Sequence, residues 1–313
     1  MRIVALALFL AAFVHAADYP KALLKDPCAA THPCDAQIWL QLDADHPAFQ
    51  ATHDPHGAEH AAPVISPDGK LIAYGLQELV GPGRLSPLHI VFVDWSGKEV
   101  RRFNEVPIRD LDTCGYGTVE WIDNSRIGDA CEFNPSLEFY MVLDAVSGKV
   151  LETFPGLYFT WSPDRRTLAH VGPLIHFAAV HDYCVLFNDT KVYPMGCPEA
   201  KIAKSRSRPE TFTYRDQHTV ESDLVWSPDG RKVALIADVY DFDWSGEGTD
   251  HEIREDHNHR IFLAIVSADR PPVGYRITEP IAEPKLNWLD NSRIELKSGV
   301  FFDLAANPPK PIP

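Results

Sequence analysis

The sequence predicts an all-β fold of repeated antiparallel sheets, on three observations. A hairpin signature recurs five times, at Val64–Ala73, Glu120–Ile127, Thr160–Ala169, Leu224–Ala237 and Asn287–Ile294. Its apolar flanks are short runs, such as Val233-Ala234-Leu235-Ile236, that read as strands buried on both faces. The anchor positions Ile65, Trp121, Trp161, Trp226 and Trp288 are separated by 56, 40, 65 and 62 residues. A step of 40 fits one four-stranded blade, and the longer steps fit blades with inserted loops. The architecture expected is a single β-propeller of five four-stranded antiparallel blades, closed by an N-terminal strand. Six irregular blades or an open ring is the alternative.

The turn chemistry supports the hairpins. In the fourth copy Pro228 pre-sets φ, Asp229 bonds nearby amides and Gly230 accepts positive φ. Two copies write the turn as Asp-Asn-Ser, at 123–125 and 290–292. Asn is the residue after Gly that best tolerates left-handed backbone, so one turn geometry is expected from both spellings. The Trp-Ser-Pro-Asp-Gly hairpin followed by an aliphatic-Ala strand resembles the TolB-like, WD-repeat-like repeats, also found in the propeller domains of prolyl-oligopeptidase-type peptidases. The resemblance runs from about Ala62 onward and holds at the level of the repeat. It implies the blade fold and leaves the ligand open. The additional domain that precedes the propeller in TolB has no counterpart in the sequence.

Outer hairpins are visible too. Leu88–Asp94 and Glu99–Phe103 flank a turn at 95–98, and Glu138–Asp144 and Lys149–Phe154 flank one at 145–148; both turns end in Gly before Lys. Asp35–Leu42 reads as one strand lacking a partner nearby, while the fifth repeat supplies three strands. Joining that surplus strand to the last blade would close the ring and remove two exposed edges. The expected organisation is a signal peptide at 1–17, a loop and closing strand at 18–61, blades at 62–304, and a Pro-rich tail at 305–313 that stays out of any ladder.

Residues 1–17 carry Arg2, an apolar run and small residues at Ala16 and Ala17, the pattern of a cleavable leader. The run is too short for an uncleaved membrane span. The expectation is a periplasmic or secreted protein with no membrane insertion. Its six cysteines, Cys28, Cys34, Cys114, Cys131, Cys184 and Cys197, read as disulfides in that setting rather than as metal or redox groups. The propeller reading pairs Cys114 with Cys131, Cys184 with Cys197 and Cys28 with Cys34. The formal charge of −15 argues against nucleic acid and anionic lipid and favours a cationic partner or a metal.

Three insertions carry candidate chemistry. Asp241, Asp243, Ser245, Thr249 and Glu252 have the spacing of a calcium loop around Gly246, although Trp244 and Gly248 depart from that pattern. His53, His56 and His60, with His251, His257 and His259, offer imidazoles to zinc or copper, or cap one end of a channel. Lys201, Lys204, Arg206 and Arg208 form a basic run suited to an acidic partner. Each has a plainer reading as a solvated loop. No Gly-x-Ser-x-Gly elbow occurs. The function expected is protein or peptide binding at one rim by a monomer without catalysis. The alternative is a glycan hydrolase using carboxylates such as Asp112, Glu120 and Asp129.

Overall fold

The computed structural model describes residues 20–25, 36–54, 58–82, 84–86, 89–104, 118–134, 137–172, 185–188, 190–191, 211–245, 253–278, 284–297 and 299–311. These residues are organised in antiparallel sheets within two compact units, Met1–Glu105 and Val106–Pro313.

The first unit contains β1 (Lys21–Lys25), β2 (Gln37–Gln41), β3 (Phe49–Gln50), β4 (Glu59–His60), β5 (Val64–Ile65), β6 (Ile72–Gln77), β7 (Leu79–Gly81), β8 (Arg84–Leu85), β9 (His89–Val93) and β10 (Glu99–Asn104). One sheet runs β1-β2-β3, a second runs β10-β9-β6-β4 with β5 also on β6, and β7 and β8 form a separate hairpin. Alternate residues of β6, Ile72, Tyr74 and Leu76, meet Val91, Val93, Ile38 and Leu40 in one core. That is the period-two burial expected of a strand. The surplus-strand expectation is corrected here. Lys21–Lys25 is itself a strand, and β2 has both edges filled, by β1 and β3.

The second unit contains β11 (Thr118–Trp121), β12 (Arg126–Asn134), β13 (Leu137–Asp144), β14 (Val150–Trp161), β15 (Leu168–Val171), β16 (Val185–Phe187), β17 (Thr190–Lys191), β18 (Thr211–Val220), β19 (Val225–Trp226), β20 (Val233–Ser245), β21 (Ile253–Ser267), β22 (Arg270–Ile277), β23 (Leu286–Trp288), β24 (Arg293–Leu296), β25 (Phe301–Asp303) and β26 (Lys310–Pro311). Strands β11 to β17 pair in sequence order, because the long β14 serves β13 with its first half and β15 with its second. β18-β20-β21-β22-β26 and β23-β24-β25 complete the unit, with β19 on β20.

Both faces of β20 are buried, as its apolar run predicts. Val233, Leu235 and Ala237 pack with Ala169, Val171, Val185 and Phe187 of the third repeat. Ala234 and Ile236 pack with Trp288, Ile294 and Leu296 of the fifth. The third, fourth and fifth repeats therefore lie face to face, and each buried Leu or Val contributes roughly 1.5–3 kcal/mol to that packing. The tryptophans add directional ties. Trp226 Nε1 donates to Thr160 O at 3.0 Å and Trp288 Nε1 to Val225 O at 2.9 Å. In both cases the acceptor is the residue just before the previous repeat's tryptophan, so one contact recurs at one register. Trp161 Nε1 instead donates to Tyr140 Oη at 2.7 Å, and Tyr140 donates on to Glu120 Oε1 at 2.8 Å.

The Pro-Asp-Gly copies share one hydrogen-bond set. Ser66, Ser162 and Ser227, all buried, each donate through Oγ to the turn aspartate and accept the amide five residues on. The position of positive φ is Gly69, Arg165 and Gly230 in turn. The Asp-Asn-Ser copies differ, which corrects the expectation of a shared geometry. Neither Asn124 nor Asn291 has positive φ. There the aspartate organises the turn: Asp123 Oδ1 accepts Ser125 N, Ser125 Oγ and Arg126 N, and its Oδ2 accepts Arg126 Nε at 2.8 Å. Asp290 repeats the pattern with Ser292 and Arg293.

The tail is a second correction. Lys310 and Pro311 form β26 and pair with Gly274 and Val273 at the outer edge of β22. Proline lacks a donor, but an edge strand needs donors on one side only, and the proline carbonyl still accepts.

Candidate functional site

The sequence-predicted residues are placed unevenly. Asp241, Asp243 and Ser245 do not open a loop: they lie in β20, opposite His257, Glu255 and Ile253 of β21. Asp241 is already engaged, accepting Asn258 Nδ2 at 2.9 Å with Arg260 Nη2 at 3.7 Å. Thr249 and Glu252 lie outside the described residues, as do His56, His251, Lys201, Lys204, Arg206, Arg208 and Asp112. His53 is exposed, whereas His60 is buried with Nε2 2.9 Å from Asp54 Oδ2. His257 Nδ1 lies 3.2 Å from Glu255 O. Among the described residues no three His, Cys, Asp or Glu side chains gather as a metal would require. Cys131 sits on β12 opposite Phe139. Cys28, Cys34, Cys114, Cys184 and Cys197 are outside the described residues.

The carboxylates considered for glycan chemistry separate. Glu120 is held by Tyr140 and by Arg165, which ties the second repeat to the third. Asp129, on β12 between Val119 and Met141, is 1 % exposed, and its Oδ1 has no hydrogen-bond partner. Burial raises its pKa from 3.8 to about 7. A group so enclosed has no route to a polymer substrate.

A different cluster forms in the second unit, and of it the sequence flagged only His259. The pairing of β20 with β21 slips between Val239 and Asp241, so Asn258 and His259 oppose the single residue Tyr240. Such a bulge re-aims side chains. Asn258 takes φ +56°, and His259 turns its Nδ1 to within 2.5 Å of Asp238 Oδ2 while its ring stacks on Tyr240 at 5.4 Å. Asp238 is nearly buried and also accepts Arg260 N at 3.3 Å. Glu221, just beyond β18, shares a face with Asp238, because Val220 pairs with Ala237 and Thr219 with Asp238. Partial burial, then the charge of Asp238, raises the Glu221 pKa, and His259 acts in the opposite sense.

Tyr158 completes the cluster. The Trp226–Thr160 bond ties the third repeat's inner strand to that of the fourth, two residues after Tyr158. Burial, then the charges of Glu221, Asp223 and Glu138, raise its phenol pKa. Tyr158 has φ +55° and is 40 % exposed. A bulky residue in left-handed backbone is an outlier costing about 1 kcal/mol or more, sustained here by the bulge in β14 between Leu157 and Thr160. Tyr158 is thus a half-exposed ring on which the charges of three carboxylates, Glu221, Asp223 and Glu138, act. Such a surface suits an ammonium or guanidinium group, which gains from both the ring quadrupole and the negative charge.

No protein-family model matches the chain, and no curated protein matches it. Among solved structures, the chain is similar to one in a crystal structure of the mitotic checkpoint complex. That match has 12% identity and a TM-score of 0.37, and covers 97% of each chain. A hydrazine synthase chain of Kuenenia stuttgartiensis shares 12% identity over 82% of this chain and 66% of its own, with a TM-score of 0.41. The Dos1 propeller shares 9% identity over 87% and 85%, with a TM-score of 0.35. All three scores lie below one half, and the fold reading rests on the repeat geometry within the chain itself.

Proposed function

We propose that this chain is an exported β-propeller binding module that holds a protein or peptide partner through a basic segment at the Tyr158 rim. The observation that carries the reading is Tyr158 itself, kept half-exposed in strained backbone among Glu138, Glu221 and Asp223. Strain of this kind concentrates at sites of recognition. The overall charge of −15 would steer a cationic partner toward it. The leader pattern at 1–17 supports export to the periplasm or beyond the cell.

Fluorescence anisotropy with labelled basic, neutral and acidic decapeptides tests the reading. Basic peptides bind best, and more weakly as salt rises. Tyr158→Ala and Glu221→Gln each weaken them by about tenfold, the loss expected for one cation–π or charge-assisted contact of ~1.4 kcal/mol. Equal binding of all three peptides, or unaffected variants, would remove the proposal. Glycan hydrolysis is the second reading, favoured by two carboxyls, Glu221 and Asp238, on one sheet face, where burial and then the Asp238 charge raise the Glu221 pKa. Turnover of a chromogenic glycoside that disappears in Glu221→Gln would put it first.

A further inference from the structure

We infer that the outer edge of β22 is a strand-exchange site, filled here by the chain's own residues 305–311 and open to the same segment of a second copy. The chain itself supplies the evidence of fit. β22 is paired on its inner side by β21 and on its outer side by β26, in a ladder of two residue pairs, Val273 with Pro311 and Gly274 with Lys310. A ladder this short holds weakly.

The approach to the ladder is built as a hinge. Leu304 N donates to Ser292 O at 2.8 Å, which fixes the end of the fifth repeat. Asp303 Oδ1 then accepts Ala305 N and Ala306 N, both at 2.9 Å, and Asn307 N donates to Asp303 O at 2.9 Å, reversing the chain. Pro308 and Pro309 follow, stiff and extended. Ala305 to Pro308 and Lys310 are all exposed, so little apolar burial anchors the segment. From β22 itself the side chain that clasps it is Tyr275, whose hydroxyl donates to Asn307 O and lies 3.4 Å from Asp303 O.

A segment held by a short ladder and one clasp opens readily, and when it does the β22 edge is bare. Bare edges recruit strands. The identical segment of another copy reproduces the β22 ladder and the Tyr275 bond, so exchange gives up only the turn bonds to Asp303 and is decided by concentration. Reciprocal exchange at two edges gives a closed, symmetric dimer.

The test uses the full chain carrying Gly274→Cys and Lys310→Cys. These positions face each other across the antiparallel ladder, at a separation a disulfide spans. Oxidation at micromolar protein should give a cross-linked monomer. Oxidation after equilibration near millimolar protein should give a covalent dimer on a non-reducing gel, absent from either single variant. Cross-linked monomer alone at every concentration overturns the exchange. So does a dimer that forms without the 274–310 link, and so does failure of the link in both forms. Tyr275→Phe, which keeps the ring and removes the clasp, supplies a second measurement. Mixing donor- and acceptor-labelled copies should then show energy transfer developing about fivefold faster than in the parent, the effect of one lost hydrogen bond of ~1 kcal/mol. An unchanged rate would also count against the hinge.

Discussion

Replacing Asp129 by Asn should flatten the pH dependence of stability and make the protein more stable at neutral pH than the parent. Asp129 is 1 % exposed, its Oδ1 is unpaired, and its pKa is raised from 3.8 to about 7. Unfolded, the carboxyl ionises near 3.8; folded, it stays protonated up to about 7. Between those values the unfolded state binds fewer protons, so stability falls as pH rises, by about 1.4 kcal/mol per unit. Across the window this amounts to about 4 kcal/mol at most, fully lost above pH 7. Asn has the shape of the protonated acid and does not titrate. Urea unfolding at pH 4.5, 6 and 8 measures the difference. The variant should exceed the parent by about 1 kcal/mol at pH 4.5 and gain progressively to about 4 kcal/mol at pH 8. A difference that is the same at all three values would refute the idea that an uncompensated buried charge is responsible. Asp68, Asp123 and Asp290 do not obscure the window, since hydrogen bonds and nearby cations lower each to about 2. Their contribution is present above 3.8 and lost only as pH falls from there toward 2.

Three further outcomes follow from particular contacts. A Cβ on Gly128 would stand 1.8 Å from Tyr140 Oη, so Gly128→Ala should destabilise by about 2–3 kcal/mol in urea unfolding and loosen the Glu120–Tyr140–Trp161 chain. Ser227→Ala removes a fully buried hydroxyl that joins Asp229 to the Lys232 amide, and should cost about 1–2 kcal/mol by the same measurement. Tyr158→Gly should raise stability by up to ~1 kcal/mol, because glycine accepts φ +55° freely, while weakening capture of basic peptides about tenfold. A loss of stability there would mean that Tyr158 is held for packing rather than for recognition.

The parts of the fold legible in the sequence are those whose causes are local. Ser66 to Leu71, Ser162 to Thr167 and Ser227 to Lys232 close their hairpins through bonds spanning at most five residues, so the turn motif carries them. The apolar run at 233–236 likewise announces a strand buried on both sides. Local spelling also misled. Asp-Asn-Ser suggested the same left-handed turn as Pro-Asp-Gly, whereas the aspartate side chain replaces that geometry altogether. Lys21–Lys25 carries no strand signature of its own and becomes a strand only because Ile38 and its neighbours offer an edge.

The sequence by itself determined the repeat, its turn positions, the acidic balance and the leader pattern, since each follows from composition or from contacts a few residues apart. Tertiary structure alone decided which charges meet. Asp238 reaches His259 across 21 residues through a bulge, and the charge of Glu221 acts on Tyr158 from another repeat. The same holds for Asp129, which the sequence singles out as a carboxylate near a strand end and whose burial raises its affinity for a proton. Desolvation and Coulomb terms depend on distance in space, and that distance is set only when the sheets pack.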